Sequence, residues 1–436
     1  MERFAFRKLE EWKNSQDRKP LVLYGTRQVG KTWLMKEFGK QRYKSVAYIS
    51  FDSNPVLKSI FSKGFEIPRI IEKLSIAADI KITPETLIIF DEIQECPLAL
   101  TSLKYFNENA PEYQIIAAGS LLGVINLEGT GFPVGKVEQF TLRPLSFYEF
   151  MKAMDKRLLE VVQSLDFKTI SSFHSLLVEL LKQYFYIGGM PAAVKKYTET
   201  KNFEDVRDVQ NGIINSYYAD FAKHIPSPII ARVRDIWLSV PSQLAKENKR
   251  FLYSDMKPGA RGRNYDMGLQ WLQDAGLITK LTRVSRPNMP LIAYMQQPIF
   301  KLYMSDIGLL SAQTAMDAKT YLDNDTKTFT HYKGALAEQF VLQELITTKN
   351  AMPVYYWATN KNTAEIEFVT QCNGQIIPIE VKSGTNTKSA SLVAYKELYN
   401  PNITIKTSLL EYSHKKGDYN IPLYMIESFA DIIDRQ

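Results

Sequence analysis

The stretch that most constrains this chain is PLVLYGTRQVGKTWLMKE, residues 20 to 37. Leu21 to Tyr24 form a short apolar run of the kind a buried strand uses, and the residues after Lys31 read as a helix. Between them stands GTRQVGKT, a G-x-x-x-x-G-K-[ST] pattern in strand–turn–helix context. Gly25 and Gly30 let the backbone curl closely around an anion. The N–H groups of the loop through Thr26, Arg27, Gln28, Val29 and Gly30 then point at a phosphate, and the following helix adds its dipole. Lys31 supplies a charge to β- and γ-phosphates, and Thr32 offers a hydroxyl to Mg²⁺. The expected ligand is therefore ATP with Mg²⁺.

Such a site needs an acidic residue on a second strand, and TLIIFDEIQE, residues 86 to 95, supplies it. Leu87 to Phe90 form the continuous apolar run of a strand buried on both faces. Asp91 falls at its C-terminal end, where sites of open α/β sheets lie, and is expected to hold the metal. Glu92 is the candidate base that polarises the attacking water. A third apolar strand, YQIIAAGS, ends in Ser120, a candidate sensor of the γ-phosphate; a plain turn serine is the competing reading. Strand–helix alternation through residue 145 predicts an α/β fold, a P-loop NTPase doubly wound parallel sheet over residues 1–150.

The segments LVLYGTRQVGKT, LIIFDEIQ, AAGS and LRPLSFYEF resemble AAA-type P-loop ATPases of the bacterial and archaeal branch that carries a C-terminal DUF4143 domain. The resemblance extends over FYIGGMPAAV (185–194), FKLYMSDIGLL (300–310) and the region around IPIEVKSG. It implies ATP hydrolysis. The chain departs from the pattern at Gly135-Lys136, where an arginine is expected ahead of the PLSF segment; lysine lacks the bidentate guanidinium. Arg143 is either a substitute or a surface arginine.

Residues 151–235 are helical in pattern and resemble the lid of such ATPases; LLVELLKQYF is amphipathic and reads as core. Residues 236–312 change character: a helix ending at Gly276 precedes LITKLTRVS, PNMP and LIAYMQQPIFKLY, the helix-then-hairpin order of a winged helix. Lys257, Arg261 and Arg263 are candidate phosphate contacts there, against an equally good reading in which the segment only packs. Residues 313–330 are polar and read as a linker.

The last expected domain, 325–436, contains AEIEFVTQCNGQIIPIEVKSG. Asn373-Gly374 is a strong signal for a two-residue hairpin turn. That turn sets Cys372 opposite Gln375, hence Glu367 opposite Glu380 and Glu365 opposite Lys382, all on one face. Facing like charges are destabilising, and a divalent cation held by Glu367 and Glu380 would relieve them, with Lys382 beside it. On the preceding helix Glu338 lies on an apolar stripe with Val341, Leu342 and Leu345, so it needs a partner. Helix glutamate, strand acid and E-x-K resemble the PD-(D/E)xK nuclease core, which implies catalytic roles for Glu338, Glu367, Glu380 and Lys382. Glu367 replaces the usual aspartate, and Pro378 suits an edge strand or a bulge.

Bulk properties narrow the classes. At 436 residues the chain needs several domains, and 45% hydrophobic with 23% charged residues is a globular composition. No apolar run has membrane-spanning length, and the charged N-terminal segment lacks a signal-peptide core. Two cysteines and four scattered histidines exclude a disulfide framework and the common zinc spacings, and fit a cytoplasmic protein. The net charge of +7 is compatible with DNA as a partner. Two functions remain: an ATPase coupled to a nuclease-like module acting on or with DNA, or an ATP-driven switch whose nuclease-like fold only binds a protein or nucleic-acid partner.

Overall fold

A computed structural model of the chain describes residues 2–52, 55–119, 132–322, 330–347, 352–386 and 388–435. It divides into two compact units, Met1–Arg143 with Asp274–Leu277, and Pro144–Gln273 with Ile278–Gln436.

The first unit is built on strands β1 (Leu21–Tyr24), β2 (Ser45–Ser50), β3 (Thr86–Asp91), β4 (Gln114–Ala118) and β5 (Glu138–Thr141), in spatial order β2-β3-β4-β1-β5. All pairings are parallel. The central strands bury both faces, and alternation decides which helix layer each residue meets. Leu21, Leu23, Leu87, Ile89 and Ile116 pack with Leu9 and Trp12 of helix Ala5–Lys13 and with Leu34 and Phe38 of helix Lys31–Arg42. Val22, Ile88, Phe90, Ile115 and Ala117 instead pack with Ile70 and Leu74 of helix Ile67–Ala77 and with Leu103 and Phe106 of helix Pro97–Asn109. The sheet is thus covered on both sides, as continuous apolar strands require. Because β4 lies between β1 and β3, the loop after β1 and the acid at the end of β3 flank the C-terminal end of β4. Ser120, two residues past that end, lies outside the described residues.

The second unit opens with helices from Phe147–Met154 through Ser227–Leu244, consistent with the helical pattern expected for 151–235. A mixed sheet follows: β6 (Ile278–Val284), β7 (Met295–Met304), β8 (Val354–Ala358), β9 (Glu365–Cys372), β10 (Gln375–Val381), β11 (Thr404–Ser408), β12 (Ser413–Lys415) and β13 (Asp418–Pro422). Its order is β12-β13-β11-β10-β9-β8-β6-β7. Helix Gly262–Asp274 does precede the β6–β7 hairpin, but β6 also pairs in parallel with β8, so the hairpin continues the C-terminal sheet. Val284, Trp357, Ile366, Leu392 and Tyr395 share one apolar cluster against this sheet.

Two of the sequence motifs meet in a close backbone junction. Gly189 N–H donates to Asp306 Oδ2 at 2.6 Å, and a Cβ on Gly308 would stand 2.3 Å from the carbonyl oxygen of Ile187. FYIGGMP and MSDIG therefore lock a helix end to the segment after β7, which explains their composition through packing.

The β9–β10 hairpin has the expected register, Gln375 opposite Cys372 through Ile379 opposite Phe368. Asn373 and Gly374 both have positive φ, 48° and 72°, as the type I′ turn demands. Two expectations need correction. β10 is not an edge strand, since β11 pairs along its other side. Pro378 is tolerated because that ladder begins only at Ile379. The hairpin register also ends at Ile379–Phe368, so the ladder reaches neither the inferred Glu367–Glu380 nor the inferred Glu365–Lys382 opposition: Glu367 accepts from Val381 N–H, Glu365 pairs with Lys301 and Lys382 with Glu380.

Candidate active site

In the first unit, the loop between β1 and helix Lys31–Arg42 takes left-handed backbone at Gln28 (φ 66°) and Gly30 (φ 96°), with Gly25 at φ 141°. A Cβ on Gly25 would stand 2.3 Å from the Leu142 carbonyl oxygen, so only glycine fits the close approach of this loop to the chain after β5. Arg3 braces the loop from the N-terminal side. Its guanidinium, 5% exposed, donates to the Val29 carbonyl at 3.1 Å and to the Arg143 carbonyl at 2.6 Å.

Lys31 is buried and folds back on its own loop, donating to the carbonyls of Gly25 at 2.7 Å and Thr26 at 3.0 Å. Burial lowers its pKa to about 8, against the opposing pull of Glu92 and Asp91. The Thr26 hydroxyl is buried without a hydrogen-bond partner. An ammonium parked on carbonyls beside an unsatisfied hydroxyl is the donor set that phosphate oxygens would engage.

The acidic side of the site converges on Asp91, which is 3% exposed at the end of β3. Thr32 Oγ1 donates to its Oδ2 at 2.7 Å, Tyr48 OH donates to the same oxygen at 2.9 Å, and Glu92 N–H donates to Oδ1 at 3.1 Å. Tyr48 comes from β2 and was not anticipated from sequence; an aromatic within SVAYIS carries no motif. Burial, then the hydrogen bond to Asp91, pushes its phenol up to about 12, which keeps it a donor. Lys36 lies 3.5 Å from the Tyr48 ring centroid. Glu92 has left-handed backbone (φ 50°), and its Oε2 accepts from Gln94 Nε2 at 2.5 Å. Thr32 and Asp91 present the hydroxyl and carboxylate that Mg²⁺ takes alongside nucleotide phosphates. Lys136 is engaged by Glu108 at 2.9 Å. Arg143 has no acidic partner among the described residues, and burial depresses its pKa.

In the second unit the structure gathers Glu338, Glu365, Glu367, Glu380 and Lys382, and adds Lys249, Lys301, Tyr303 and Ser389. Glu338, 5% exposed on helix Thr330–Thr347, accepts from Lys249 at 2.6 Å and Tyr303 OH at 3.2 Å, with Lys301 at 3.6 Å. Lys301 is fully buried and donates to Glu365 at 2.5 Å. Burial opposes its charge, but Glu365, Tyr303 and Glu338 outweigh that and hold it protonated. Glu380 Oε1 accepts from Ser389 and from Lys382, each at 2.7 Å, while Oε2 is buried without a partner. Glu367 accepts from the backbone N–H of Val381 at 3.1 Å. Burial, then Glu380 and Glu338, drives its pKa above the ordinary carboxylate range. The lysines escaped sequence reasoning because 249 and 301 lie far from the E-x-K stretch and only the β6–β8 pairing brings Lys301 near.

Residue 257 is tied down as well: Lys257 pairs with Asp235 at 2.7 Å, while Arg261 and Arg263 are exposed. Among the described residues no helix is long and apolar enough to cross a membrane.

A parallel sheet with a glycine loop between its first strand and the next helix is an arrangement that suits a phosphate group. Residues 17–151 match the AAA domain family AAA_14, residues 178–320 the domain of unknown function DUF8612, and residues 333–426 the domain of unknown function DUF4143. Uncharacterized proteins of Mycobacterium bovis (Mb2031c) and Mycobacterium tuberculosis (Rv2008c) are each 27% identical over 208 residues, 47% of this chain and 43% of theirs. The match thus spans less than half the length of these curated relatives. Among solved structures, a Walker-type ATPase of Pyrococcus abyssi is similar at TM-score 0.45 and 15% identity, covering 71% of this chain and 94% of that one. The Aeropyrum pernix ORC1 protein, solved in complex with DNA, is similar at TM-score 0.30 and 12% identity, covering 74% and 93%.

Proposed function

We propose that this chain binds Mg²⁺-ATP at the loop Gly25–Thr32 and hydrolyses it, using the nucleotide cycle to change the state of its C-terminal unit. The observation that carries this reading is the Thr32–Asp91 hydrogen bond of 2.7 Å, which ties the phosphate loop to the acidic strand end. The loop N–H groups and Lys31 bind and orient the phosphates. Thr32 and Asp91 would hold Mg²⁺, which when bound neutralises charge on the phosphate oxygens. Glu92 takes the proton of the attacking water, and release of Gln94 from its carboxylate frees an oxygen for that task. Ser120 remains the candidate sensor. The test is Asp91→Ala: hydrolysis should fall at least about a hundredfold, on the scale of losing a main electrostatic group, while ATP still binds without Mg²⁺. Full hydrolysis by this variant would sink the assignment.

For the C-terminal unit, the non-cutting alternative is favoured by the placement of three lysines. Lys249 and Lys301 neutralise Glu338 and Glu365, and Lys382 neutralises Glu380. The free Glu380 Oε2 is one oxygen that suits a cation. The rest of the set, already charge-matched, does not fit a divalent ion, and no group of three His, Cys, Asp or Glu side chains among the described residues is arranged to hold one. The unit is read as a nuclease-like fold that binds a partner, with DNA favoured by the chain's positive balance. Mn²⁺-dependent cleavage of DNA that disappears in Glu380→Ala would reverse this and restore the nuclease reading.

A further inference from the structure

The phosphate loop is held by its carbonyls. Lys31 Nζ donates to those of Gly25 and Thr26, the Leu34 N–H donates to that of Gly30 at 2.9 Å, and Arg3 Nη1 donates to that of Val29 at 3.1 Å. A trans peptide is planar, so its N–H points opposite to its C=O. By fixing the Val29 carbonyl, Arg3 fixes the direction of the Gly30 N–H. That amide stands at the N-cap of helix Lys31–Arg42, where backbone N–H groups and the helix dipole favour an anion.

The two cationic holds differ in what happens when phosphate arrives. Lys31 turns its ammonium to the phosphate oxygens and gives up the Gly25 and Thr26 carbonyls. Arg3 lies outside the G-x-x-x-x-G-K-[ST] pattern and is buried, with Nη2 donating to the Arg143 carbonyl at 2.6 Å. Burying a guanidinium is costly unless its donors are used, and these two bonds use them. The second anchor is itself tied to the sheet. Arg143 follows Leu142, whose N–H donates to the Tyr24 carbonyl at the end of β1 at 2.8 Å. Arg3 therefore holds Val29 against the sheet, and its hold does not depend on Lys31.

We propose that Arg3 is a positioning residue for nucleotide: it orients and polarises the Val29–Gly30 peptide so that the Gly30 N–H donates to a phosphate group that ATP and ADP share. A bond from a charged donor is stronger than a neutral one, and in a low-dielectric site it strengthens the next donor along the same peptide. Arg3 acts through that peptide and does not touch the nucleotide. The proposal rests on reading the loop as the nucleotide site; the bonds that hold Val29 do not.

The full chain, Arg3→Met and Arg3→Lys are compared in two arms at a temperature where all are folded. In the first, calorimetry without Mg²⁺ gives affinity and stoichiometry for ATP and for ADP. Arg3→Met should weaken both nucleotides by the same factor, about tenfold, the lower end of the range for a hydrogen bond with a charged partner. Arg3→Lys should recover part of the affinity. In the second arm, initial rates with Mg²⁺-ATP give KM and kcat separately. Losing a contact made equally in the ground and transition states raises KM and leaves kcat unchanged. Arg3→Met should therefore raise KM about tenfold at the parental kcat. A residue that only holds the fold lowers the active fraction instead: kcat per chain and binding stoichiometry fall together, while KM and both affinities stay parental. That result, or parental values throughout, overturns the proposal. A parent that binds both nucleotides but releases no phosphate overturns the hydrolysis reading, and the affinities then decide Arg3. A parent that binds neither nucleotide overturns both. Should Arg3→Met fail to fold, Arg3→Gln carries the same comparison.

Discussion

Thr32 Oγ1 lies 2.7 Å from Asp91 Oδ2, joining residues 59 positions apart across an intervening strand. That oxygen also accepts from Tyr48 at 2.9 Å, so two donors fix the carboxylate before any metal arrives. Removing the phenol should leave the fold intact and loosen the carboxylate. Tyr48→Phe should therefore need roughly three- to tenfold more Mg²⁺ for half-maximal hydrolysis, the net cost of one hydrogen bond. Metal-free ATP affinity should stay at the parental value. A magnesium titration of the initial rate decides it, and an unchanged requirement would show that Tyr48 does not position Asp91.

Lys31 titrates near pH 8 because its ammonium is buried among carbonyls. Its folded pKa lies below the ordinary lysine value. As pH rises through about 8 the empty site loses the proton, whereas phosphate binding needs the charged form. ATP affinity without Mg²⁺ should thus be flat below that pH and decline above it, with proton uptake on binding. Calorimetry in buffers of differing ionisation enthalpy measures the uptake; none at pH 9 would contradict the placement of Lys31.

Lys301 is the fully buried cation between Glu338 and Glu365. Lys301→Met keeps much of the volume but leaves those acids facing each other. Breaking a buried pair from one side costs about 3–5 kcal/mol, so the melting transition of the C-terminal unit should fall by many degrees. Adding Glu365→Gln should restore part of the loss. A Lys301→Met chain that melts like its parent would show that the pairing contributes little.

A methyl group at position 308 would meet the Ile187 carbonyl oxygen at 2.3 Å, far inside contact distance. Gly308→Ala should destabilise the second unit by about 3 kcal/mol or more, as backbone overpacking does. Denaturant unfolding is the measurement, and a shift under about 1 kcal/mol would mean the junction yields readily.

Much of the first unit was legible because its signals are local. The apolar runs, the glycine loop and Asp91 sit on short contiguous segments whose geometry follows from covalent rules. The β9–β10 register was legible for the same reason: Asn373-Gly374 sets it within a few residues. What escaped was non-local. Nothing near IPIEVKSG indicates that Lys249 and Lys301 come to sit among its acids, because β6 reaches β8 only through the folded sheet. Pro378 misled because sequence does not reveal that the β11 ladder begins one residue later. Tyr48 was missed because a strand tyrosine is ordinary until its neighbour proves to be Asp91.

The most direct measurement is phosphate release from Mg²⁺-ATP by the purified chain beside its Lys31→Ala variant. The parent should turn over ATP, and the variant should be at least about a hundredfold slower, as expected for loss of the group that balances transferring phosphate charge. Equal rates in the two proteins would contradict the account, because the hydrolysis would then arise somewhere other than the loop at Gly25–Thr32.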